Sequence, residues 1–258
     1  MKILVTGKNG YVGSSIINKL QYSDQVPYDI IGVGRDDFDL TNRIETKEFF
    51  RGKKFDCVIH TANVGGSRLS KDSSDVLFKN ISMFNNLCSQ FVCYDHLISF
   101  GSGVERMYPT DPYGLSKSII NSIIKSEKKY TNIRIFGVFD ENEWDTRFIK
   151  SNIKRYINKE PLIIHQNKFM DFIYMDDLIK LINYSVTHPH HKLLEANYVQ
   201  PYTLLDIALF INELSSHRCE IKFQEEGIAD PYTGGLNQLK LPYIGMERAL
   251  KRVYGGDV

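Results

Sequence analysis

The amino-acid sequence predicts an α/β fold in which a doubly wound parallel sheet is followed by a small C-terminal lobe. Apolar strands alternate with amphipathic helices up to about residue 140, and a glycine-rich turn joins the first strand to the first helix. Strands that alternate with helices pair in parallel, and right-handed crossovers place the helices on both faces of the sheet. After about residue 140, strands and helices no longer alternate regularly. We therefore predict a sheet domain over residues 1–140 and a smaller lobe over 141–258, with elements of that lobe returning to the sheet.

The predicted elements follow the apolar periodicity of the chain. The run Ile3–Val5 marks the first strand, and Asp111 followed by Pro112 is a favourable start for the fourth helix. The predicted strands of the sheet domain are 2–6, 28–33, 55–60, 96–100 and 132–136. Its predicted helices are 11–21, 43–51, 74–92 and 113–130. In the lobe we predict strands at 161–164 and 171–174 and helices at 145–158, 176–187, 203–214 and 246–253.

The composition excludes several classes of protein. A net charge of +1 with 24% charged residues offers no basic surface for nucleic acid or an anionic membrane. No apolar run approaches the length of a membrane span, and the first strand begins too early for a signal peptide. The four cysteines lack metal-ligand spacing, as expected for thiols in a reducing compartment. We therefore expect a cytoplasmic protein with neither a nucleic-acid nor a membrane partner.

The glycine-rich turn is the most informative motif. Gly7, Gly10 and Gly13 lie three residues apart between the first predicted strand and helix. Glycine permits a tight turn and lets backbone N–H groups approach a pyrophosphate, which the helix N-terminus also attracts. This arrangement is typical of Rossmann dinucleotide-binding domains, although glycines at such turns also serve packing alone. The residues predicted to contact the cofactor here are Gly7, Asn9, Gly10, Tyr11, Val12 and Gly13.

The end of the second predicted strand bears on the choice of cofactor. The strand runs into Gly34-Arg35-Asp36-Asp37. An arginine at this point favours the 2′-phosphate of NADP, whereas an acidic residue binds the ribose 2′-hydroxyl of NAD. Because Arg35 precedes both aspartates, we predict NADP as the cofactor. NAD is the alternative, since Asp36 or Asp37 could bind its ribose. An exposed loop without any role in binding is the alternative interpretation.

A tyrosine and a lysine define a second candidate site. Tyr113 and Lys117 are four residues apart on a predicted helix, so they lie one turn apart on the same face. A neighbouring ammonium stabilises tyrosinate and lowers the pKa of a phenol, which would make Tyr113 a proton donor near neutral pH. Such a pair is usually a solvated helix face. Together with an upstream dinucleotide turn, it is the strongest catalytic signal in the chain.

With these motifs the chain resembles the extended short-chain dehydrogenases/reductases, the NAD-dependent epimerase/dehydratase family, which act largely on nucleotide sugars. The resemblance covers nearly the whole length. It implies that Asp39 and Leu40 contact adenine and that Thr61, Ala62 and Asn63 lie along the cofactor. Further matching motifs are Asn80 on the central helix, Ser99–Gly103 at the catalytic strand end and the box Asp171–Asp177.

Within the family, Asp39–Thr41 and His60–Gly66 are most similar to the GDP-fucose synthases, which are epimerase-reductases of a nucleotide-linked 4-keto sugar. The resemblance implies that Tyr113 protonates the C4 oxygen of the substrate while the nicotinamide delivers hydride to C4. Ser102 would hydrogen-bond the same oxygen. Lys117 would lower the pKa of the Tyr113 phenol and bind the nicotinamide ribose.

Departures from the family pattern narrow the activity. Ser102–Val104 lacks the carboxylates typical of 4,6-dehydratases, which argues against dehydration. Val104 falls where GDP-fucose synthases carry an epimerisation cysteine, and no histidine follows at 139–142. Reduction at C4 is the simplest chemistry that remains. An NAD-dependent C4 epimerase, which uses the same Tyr/Lys pair, is one alternative. A non-catalytic dinucleotide sensor or scaffold is another, because the segment between Ser102 and Tyr113 is short and because Gly137 and Met170 depart from the family pattern.

Substrate contacts and partners complete the predictions. A substrate diphosphate requires positive charge, for which Arg147 and Arg155 are candidates, although a solvated helix face explains them equally well. The resemblance adds Gly65 beside the nucleotide-sugar substrate. The run His188–His191 is interpreted as a surface loop, so no metal site is predicted. Family members commonly pair through the Tyr/Lys helix and the helix before it, so we expect a homodimer.

Overall fold

The strands of the main sheet follow the predicted α/β order. The computed structural model describes residues 1–20, 27–67, 70–108, 110–235 and 239–255. The strands in these residues are β1 Lys2–Thr6, β2 Asp29–Val33, β3 Phe55–His60, β4 Tyr94–Ser102, β5 Tyr130–Ile135, β6 Val138–Phe139, β7 Leu162–Ile164, β8 Ile173–Tyr174, β9 Leu193–Ala196 and β10 Ile221–Phe223. The main sheet has the order β2-β1-β3-β4-β5-β9, and small sheets pair β7 with β10 and β6 with β8. The doubly wound Rossmann sheet predicted from the sequence is thus confirmed.

Helices connect and cover these strands. The described helices are α1 Tyr11–Leu20, α2 Arg43–Phe50, α3 Ser74–Cys88, α4 Val104–Met107, α5 Pro112–Ser126, α6 Phe148–Ile157, α7 Met175–Thr187, α8 Leu204–Asn212 and α9 Met246–Gly255. A 3₁₀ turn at Phe91–Cys93 leads into β4. The first helix buries Ile16 and Leu20, which are one turn apart, as the amphipathic spacing requires.

The chain divides into two compact units. Unit 1 comprises Met1–Arg134 and Leu181–Leu194, and it includes β1 to β4. Unit 2 comprises Ile135–Lys180 and Glu195–Val258, and it includes both small sheets. Each unit is therefore assembled from two separate segments of the sequence.

Unit 1 is built around a buried apolar cluster. Leu4, Val58 and Leu97 from adjacent strands are fully buried, together with Phe50 of α2 and Phe84 of α3. Burying a side chain of this size contributes about 1.5–3 kcal/mol relative to leaving it exposed. The apolar runs that predicted the strands therefore supply the residues that pack against these helices.

Several elements differ from the predicted ones. The helices predicted at 74–92 and 113–130 end earlier, at Cys88 and Ser126, because a 3₁₀ turn follows α3 and the backbone becomes extended at Glu127. The elements α4, β6, β9 and β10 escaped prediction, since two to four residues carry no detectable periodicity. Residue 21 of the first predicted helix lies outside the described residues.

In unit 2, a buried asparagine joins α6 to β7. The side-chain amide of Asn152 donates to the carbonyl oxygens of Phe148 and Ile163, both at 3.0 Å. Its oxygen accepts the Ile163 N–H at 2.7 Å. Asn152 is 1% exposed, so water has little access to replace these bonds. We therefore expect this residue to stabilise unit 2.

Replacing Asn152 with Ala should destabilise the protein by about 1–3 kcal/mol, because buried backbone groups of Ile163 lose their partner. Asn158→Ala is the matched control, since Asn158 is exposed at the end of the same helix. Exposed substitutions of this kind change stability by less than about 0.5 kcal/mol. Urea denaturation followed by far-ultraviolet circular dichroism measures both variants. Equal unfolding midpoints would contradict the role assigned to Asn152.

Candidate functional site

The carboxyl ends of β1, β2 and β3 meet at one edge of the sheet in unit 1. Thr6 pairs with Val33 and with His60, which are the last residues of the neighbouring strands. The turns that begin at Gly7 and Thr61 therefore lie side by side. Ligands of open α/β sheets bind at the carboxyl ends of the strands, so a binding site is expected here.

The glycine-rich turn packs directly against the segment after β3. Gly7 has a φ of +80°, and a Cβ atom added there would lie 2.7 Å from the Ala62 nitrogen. A Cβ atom at Gly13 would lie 2.2 Å from the Gly7 carbonyl oxygen and 2.6 Å from Thr61 Oγ1. Side chains are therefore excluded, and the backbone at the start of α1 stays close to the sheet edge. This arrangement fits a dinucleotide pyrophosphate, which binds where a glycine turn meets a helix N-terminus.

The other predicted residues of the turn differ in exposure. Asn9 and Gly10 are exposed, whereas Tyr11 and Val12 are half-buried. The Gly10 N–H closes the turn by donating to the Gly7 carbonyl oxygen at 2.9 Å. The turn is thus ordered by its own backbone, and its contacts with a cofactor stay predictions.

Hydrogen bonds hold the segment after β3 against β1. Thr61 Oγ1 donates to the Thr6 carbonyl oxygen at 2.6 Å, and Thr6 Oγ1 lies 2.8 Å from His60 Nδ1. Burial, reinforced by the charge of Lys117, lowers the pKa of His60 to about 3, so its imidazole is neutral. His60 is therefore an anchor for the strand end rather than a proton donor near neutral pH.

A lysine of the glycine-rich turn pairs with the acidic residues that follow β2. Lys8 Nζ lies 2.7 Å from carboxylate oxygens of both Asp36 and Asp37. Hydrogen bonds from Lys8 lower the pKa of both carboxyl groups. Asp37 also accepts the Gly34 N–H at 2.8 Å, and Arg35 is exposed. The sequence predictions for cofactor choice considered Arg35, Asp36 and Asp37 but did not include Lys8. Its position as a basic residue inside the glycine-rich turn was the signal that could have identified it.

Asp39 and Leu40 stabilise the entry into α2. Asp39 Oδ1 accepts both the N–H and the hydroxyl group of Thr41 at 2.8 Å, and these bonds lower the pKa of the Asp39 carboxyl group. Leu40 is buried, and its carbonyl oxygen accepts the Asn86 side-chain amide at 2.9 Å. Both residues therefore have structural roles, and their contact with adenine stays a prediction.

An asparagine of α3 holds the loop after β3. Asn80 Oδ1 accepts the Val64 N–H at 2.9 Å, and its Nδ2 donates to the Val64 carbonyl oxygen at 3.0 Å. Asn63, a predicted cofactor contact, donates from Nδ2 to the Gly65 carbonyl oxygen at 3.4 Å. Gly65, predicted beside the substrate, is exposed with a φ of +77°. Asn80 thus orders the loop that carries both predicted residues.

Tyr113 and Lys117 lie one turn apart on α5. Lys117 Nζ is 5.5 Å from the centroid of the Tyr113 ring and donates to the Phe100 carbonyl oxygen at 2.9 Å. Burial lowers the pKa of Lys117 to about 8, and the charge of Glu105 opposes that shift. The lysine is therefore mainly an ammonium at pH 7. It lies close enough to Tyr113 to stabilise a tyrosinate.

Neighbouring segments, rather than a side-chain cap, hold the start of α5. Asp111 occupies the N-cap position with an extended backbone, but its side chain makes no capping hydrogen bond. Ser116 Oγ donates to the Tyr113 carbonyl oxygen at 2.7 Å and accepts Asn80 Nδ2 at 3.2 Å. A Cβ atom at Gly66 would lie 2.8 Å from the Tyr113 ring. The loop after β3 therefore borders the phenol.

Ser102 ends β4 beside a carboxylate that sequence analysis missed. The Ser102 N–H donates to Glu105 Oε1 at 2.9 Å, and Glu105 Oε2 pairs with Arg134 Nη2 at 3.0 Å. Glu105 belongs to α4, which lies inside the short segment before Tyr113. A usable signal was Arg134 within a predicted buried strand, because a buried guanidinium requires a carboxylate partner.

In unit 2, the predicted diphosphate contacts lie at α6 next to carboxyl groups. Arg155 Nη1 is 3.5 Å from Glu160 Oε2, and Arg147 Nε is 3.8 Å from Glu143 Oε1. Burial raises the pKa of Glu143 to about 8, so this carboxyl group is mostly neutral at pH 7 and offsets little of the Arg147 charge. Arg147 is the better suited of the two arginines to an anion, and both contacts stay predictions.

The histidine run packs on an aromatic ring. The His188 ring stacks on Tyr184 with centroids 4.0 Å apart, and His191 Nε2 lies 2.9 Å from the Tyr184 hydroxyl oxygen. Within the described residues, no three His, Cys, Asp or Glu side chains are arranged to hold a metal ion.

Among the helices of the described chain, none combines the length and apolar character needed to cross a bilayer.

The apolar residues of α5 divide between two environments. Ile120 and Ile124 belong to the buried cluster of unit 1. Ile119 and Ile123 line a groove together with Ser122, and Ile123 is partly buried and also packs against that cluster. The predicted homodimer would use this helix, and it stays a prediction.

Known proteins resemble this chain in sequence at a low level. It is 22% identical to the CDP-abequose synthase of Yersinia pseudotuberculosis over 246 residues, which cover 86% of this chain and 87% of that protein.

Solved structures resemble it closely in fold. One is MlghC, a GDP-mannoheptose C4 reductase from Campylobacter jejuni with NADP bound, with a TM-score of 0.79, 14% identity and coverage of 98% and 97% of the two chains. A UDP-glucuronic acid 4-epimerase from Bacillus cereus in complex with NAD has a TM-score of 0.76, 18% identity and coverage of 98% of both chains. A GDP-L-fucose synthetase from Naegleria fowleri has a TM-score of 0.78, 15% identity and coverage of 98% and 91%. Because these sequence identities are low, the structural similarity shows that the fold is shared and no more than that.

The family itself follows from the sequence profile. The profile described as "NAD dependent epimerase/dehydratase family" matches residues 3–199, which is most of the chain. That range includes the glycine-rich turn, the Tyr113–Lys117 pair and the box Asp171–Asp177. The predicted resemblance is confirmed: the chain belongs to the NAD-dependent epimerase/dehydratase family, the extended short-chain dehydrogenases/reductases.

Proposed function

We propose that this protein reduces the C4 ketone of a nucleotide-diphosphate-linked deoxy sugar with NADPH. The observation that carries the proposal is the placement of Tyr113 and Lys117, with the lysine ammonium 5.5 Å from the phenol ring. Ser102 ends the strand whose Phe100 carbonyl oxygen accepts the hydrogen bond from Lys117. A proton donor for a ketone oxygen, a cation that stabilises the donor's anion and a hydrogen-bonding hydroxyl group thus belong to neighbouring elements of one unit.

Each of these side chains has a separate task in the proposed reduction. Tyr113 donates its phenolic proton to the C4 oxygen as the ketone becomes an alcohol. The Lys117 ammonium stabilises the tyrosinate that remains, and the Ser102 hydroxyl group hydrogen-bonds the same substrate oxygen. The nicotinamide, when bound, supplies the hydride. Water then returns a proton to Tyr113 after the product has left.

The dinucleotide is assigned to the glycine-rich turn and the segments beside it. The packing of Gly7 and Gly13 against Thr61 and Ala62 supports pyrophosphate binding, since a side chain at either glycine would clash. Arg35 supports NADP rather than NAD. The remaining proposed contacts are Asn9, Gly10, Tyr11, Val12, Asp39, Leu40 and Asn63.

The names of similar proteins support a nucleotide-sugar substrate. The Campylobacter enzyme is a GDP-mannoheptose C4 reductase, and the Naegleria enzyme is a GDP-L-fucose synthetase. The Yersinia relative acts in the synthesis of a CDP-linked sugar, so the nucleotide differs among them. We therefore propose the class of substrate and leave the base to experiment.

The direct test mixes the purified protein with NADPH and GDP-4-keto-6-deoxymannose, and then with CDP-, dTDP- and UDP-linked keto sugars. The expected result is loss of reduced-nicotinamide absorbance and a product reduced at C4 without inversion at C3 or C5. Absence of turnover with every sugar would contradict the proposal.

A C4 epimerase is the second candidate, and Asp36 and Asp37 favour it. Acidic residues at the end of the second strand bind the ribose hydroxyl groups of NAD. Both carboxylates are present here, although each pairs with Lys8. An epimerase would regenerate its cofactor in each cycle. Protein that purifies with bound NAD and interconverts C4 epimers without consuming NADPH would establish this alternative.

Replacing Tyr113 with Phe should lower kcat by about 10²–10⁴-fold, because the proton donor is lost. NADPH affinity should stay close to that of the wild type, since the ring is retained. Steady-state kinetics and a fluorescence titration of NADPH measure the two quantities. Tyr108→Phe is the matched control, because Tyr108 is an exposed tyrosine of the same segment. Full activity of the Tyr113 variant would rule out the assigned proton donor.

Replacing Asp36 with Asn should raise the ratio of NADPH to NADH affinity by about two- to fivefold, because one carboxylate no longer repels the 2′-phosphate. Lys8→Gln should lower the same ratio. Asp29→Asn is the control, since Asp29 is exposed at the opposite end of the same strand. Calorimetric titration with both cofactors gives the ratios. An Asp36 variant with an unchanged or lower ratio would show that this charge cluster does not select the cofactor.

A further inference from the structure

We propose that Glu105 is a positioning residue of this reaction: its buried carboxylate holds the backbone at Ser102 and supplies a negative charge near Lys117. The inference rests on the proposed function, because Ser102 and Lys117 matter only if they act on a substrate and cofactor. Glu105, Ser102 and Lys117 all lie in unit 1.

The Glu105 carboxylate is fully engaged by hydrogen-bond donors. Oε1 accepts the Ser102 N–H at 2.9 Å and Asn132 Nδ2 at 3.5 Å. Oε2 accepts Arg134 Nη2 at 3.0 Å and Nε at 3.3 Å. The side chains of Glu105 and Arg134 are 2% and 7% exposed, so water screens this pair very little. A network of this kind specifies one arrangement of the strand end.

The same glutamate connects the strand end to the catalytic helix. Its backbone carbonyl oxygen accepts Ser118 Oγ of α5 at 3.0 Å. A Cβ atom at Gly101 would lie 2.1 Å from Glu105 Oε1, so the carboxylate presses against the backbone beside Phe100. Phe100 in turn accepts the Lys117 hydrogen bond. Glu105 therefore contacts the strand at Gly101 and Ser102, the two residues that follow the point at which Lys117 is held.

The charge of Glu105 also acts on Lys117. Burial lowers the pKa of Lys117, and Glu105 is the neighbouring charge that opposes the shift. Two other titratable groups of unit 1, His60 and Arg134, supply no negative charge. His60 is neutral because burial lowers its pKa, and Arg134 is itself cationic and paired with Glu105. Tyr113 precedes Lys117 by one turn on the same helix. Without Glu105, the ammonium that stabilises the tyrosinate would be lost at a lower pH.

A purely structural ion pair is the competing explanation. Such a pair would stabilise unit 1 without setting the protonation of Lys117 or the geometry at Ser102. The two explanations differ in the titration of Lys117, because loss of stability alone leaves that titration unchanged.

The first measurement is the titration of Lys117 in cofactor-free protein labelled with ¹³C-lysine, with the resonance assigned through Lys117→Arg. We expect the wild-type resonance to titrate near pH 8 and the Glu105→Gln resonance to titrate at a lower pH. Asp177→Asn is the control, because it alters a fully buried, hydrogen-bonded carboxylate in unit 2. An unchanged titration in Glu105→Gln would overturn the electrostatic part of the proposal, whether or not the protein reduces a sugar.

Kinetics test the positioning part. In Glu105→Gln we expect kcat to fall at least about tenfold with a change in KM below about threefold, and the alkaline limb of the kcat profile to move to lower pH. Glu105→Asp keeps the charge beside Arg134 and serves if the glutamine variant fails to fold. Its shorter side chain should lower kcat while the alkaline limb stays in place. Wild-type kcat in Glu105→Asp would overturn the positioning role. Inactivity of the wild type would instead refute the proposed function.

Discussion

The position of α5 against the carboxyl end of β4 is the constraint on which the candidate site depends. Lys117 is buried and donates to the Phe100 carbonyl oxygen, and Ser116 is hydrogen-bonded to Asn80 of α3. Because a buried ammonium is costly without partners, the helix cannot shift along the strand without losing these bonds. Tyr113 therefore has a defined place beside the loop that follows β3.

The charges around the glycine-rich turn and the carboxyl end of β2 form a second constraint on the candidate site. Lys8 joins the glycine-rich turn to Asp36 and Asp37, so the turn and the end of β2 are held by the same charges that we propose to lie beside a cofactor ribose. Arg35 adds one further cation at this point. The local charges nearly cancel, and for this reason the structure alone favours NADP less strongly than a lone arginine would. If the proposed cofactor site is right, these ion pairs link the choice of cofactor to the geometry of the turn.

Sequence reasoning was sufficient where periodicity or a local steric requirement determines the structure. The apolar runs of β1 and β3, the helical spacing of α1 and the glycine turn all depend on neighbours in sequence, so their signals survive in one chain. It was insufficient for α4 and β9, which are too short to show a period. It also missed Glu105 and Lys8, because their partners Arg134 and Asp37 are about 30 residues away. Asp111 illustrates a further difficulty: it lies at the predicted helix start, yet its side chain forms no cap.

Transfer of a labelled hydride tests the central claim most directly. NADPH carrying deuterium at the transferable position would be incubated with the nucleotide-linked 4-keto sugar that the protein consumes, and the product examined by NMR and mass spectrometry. If the protein is a C4 reductase, the product carries one deuterium at C4 for each NADPH oxidised and none at C3 or C5. A C4 product without deuterium, formed with no net oxidation of NADPH, would contradict the proposed reduction and identify an internal hydride cycle.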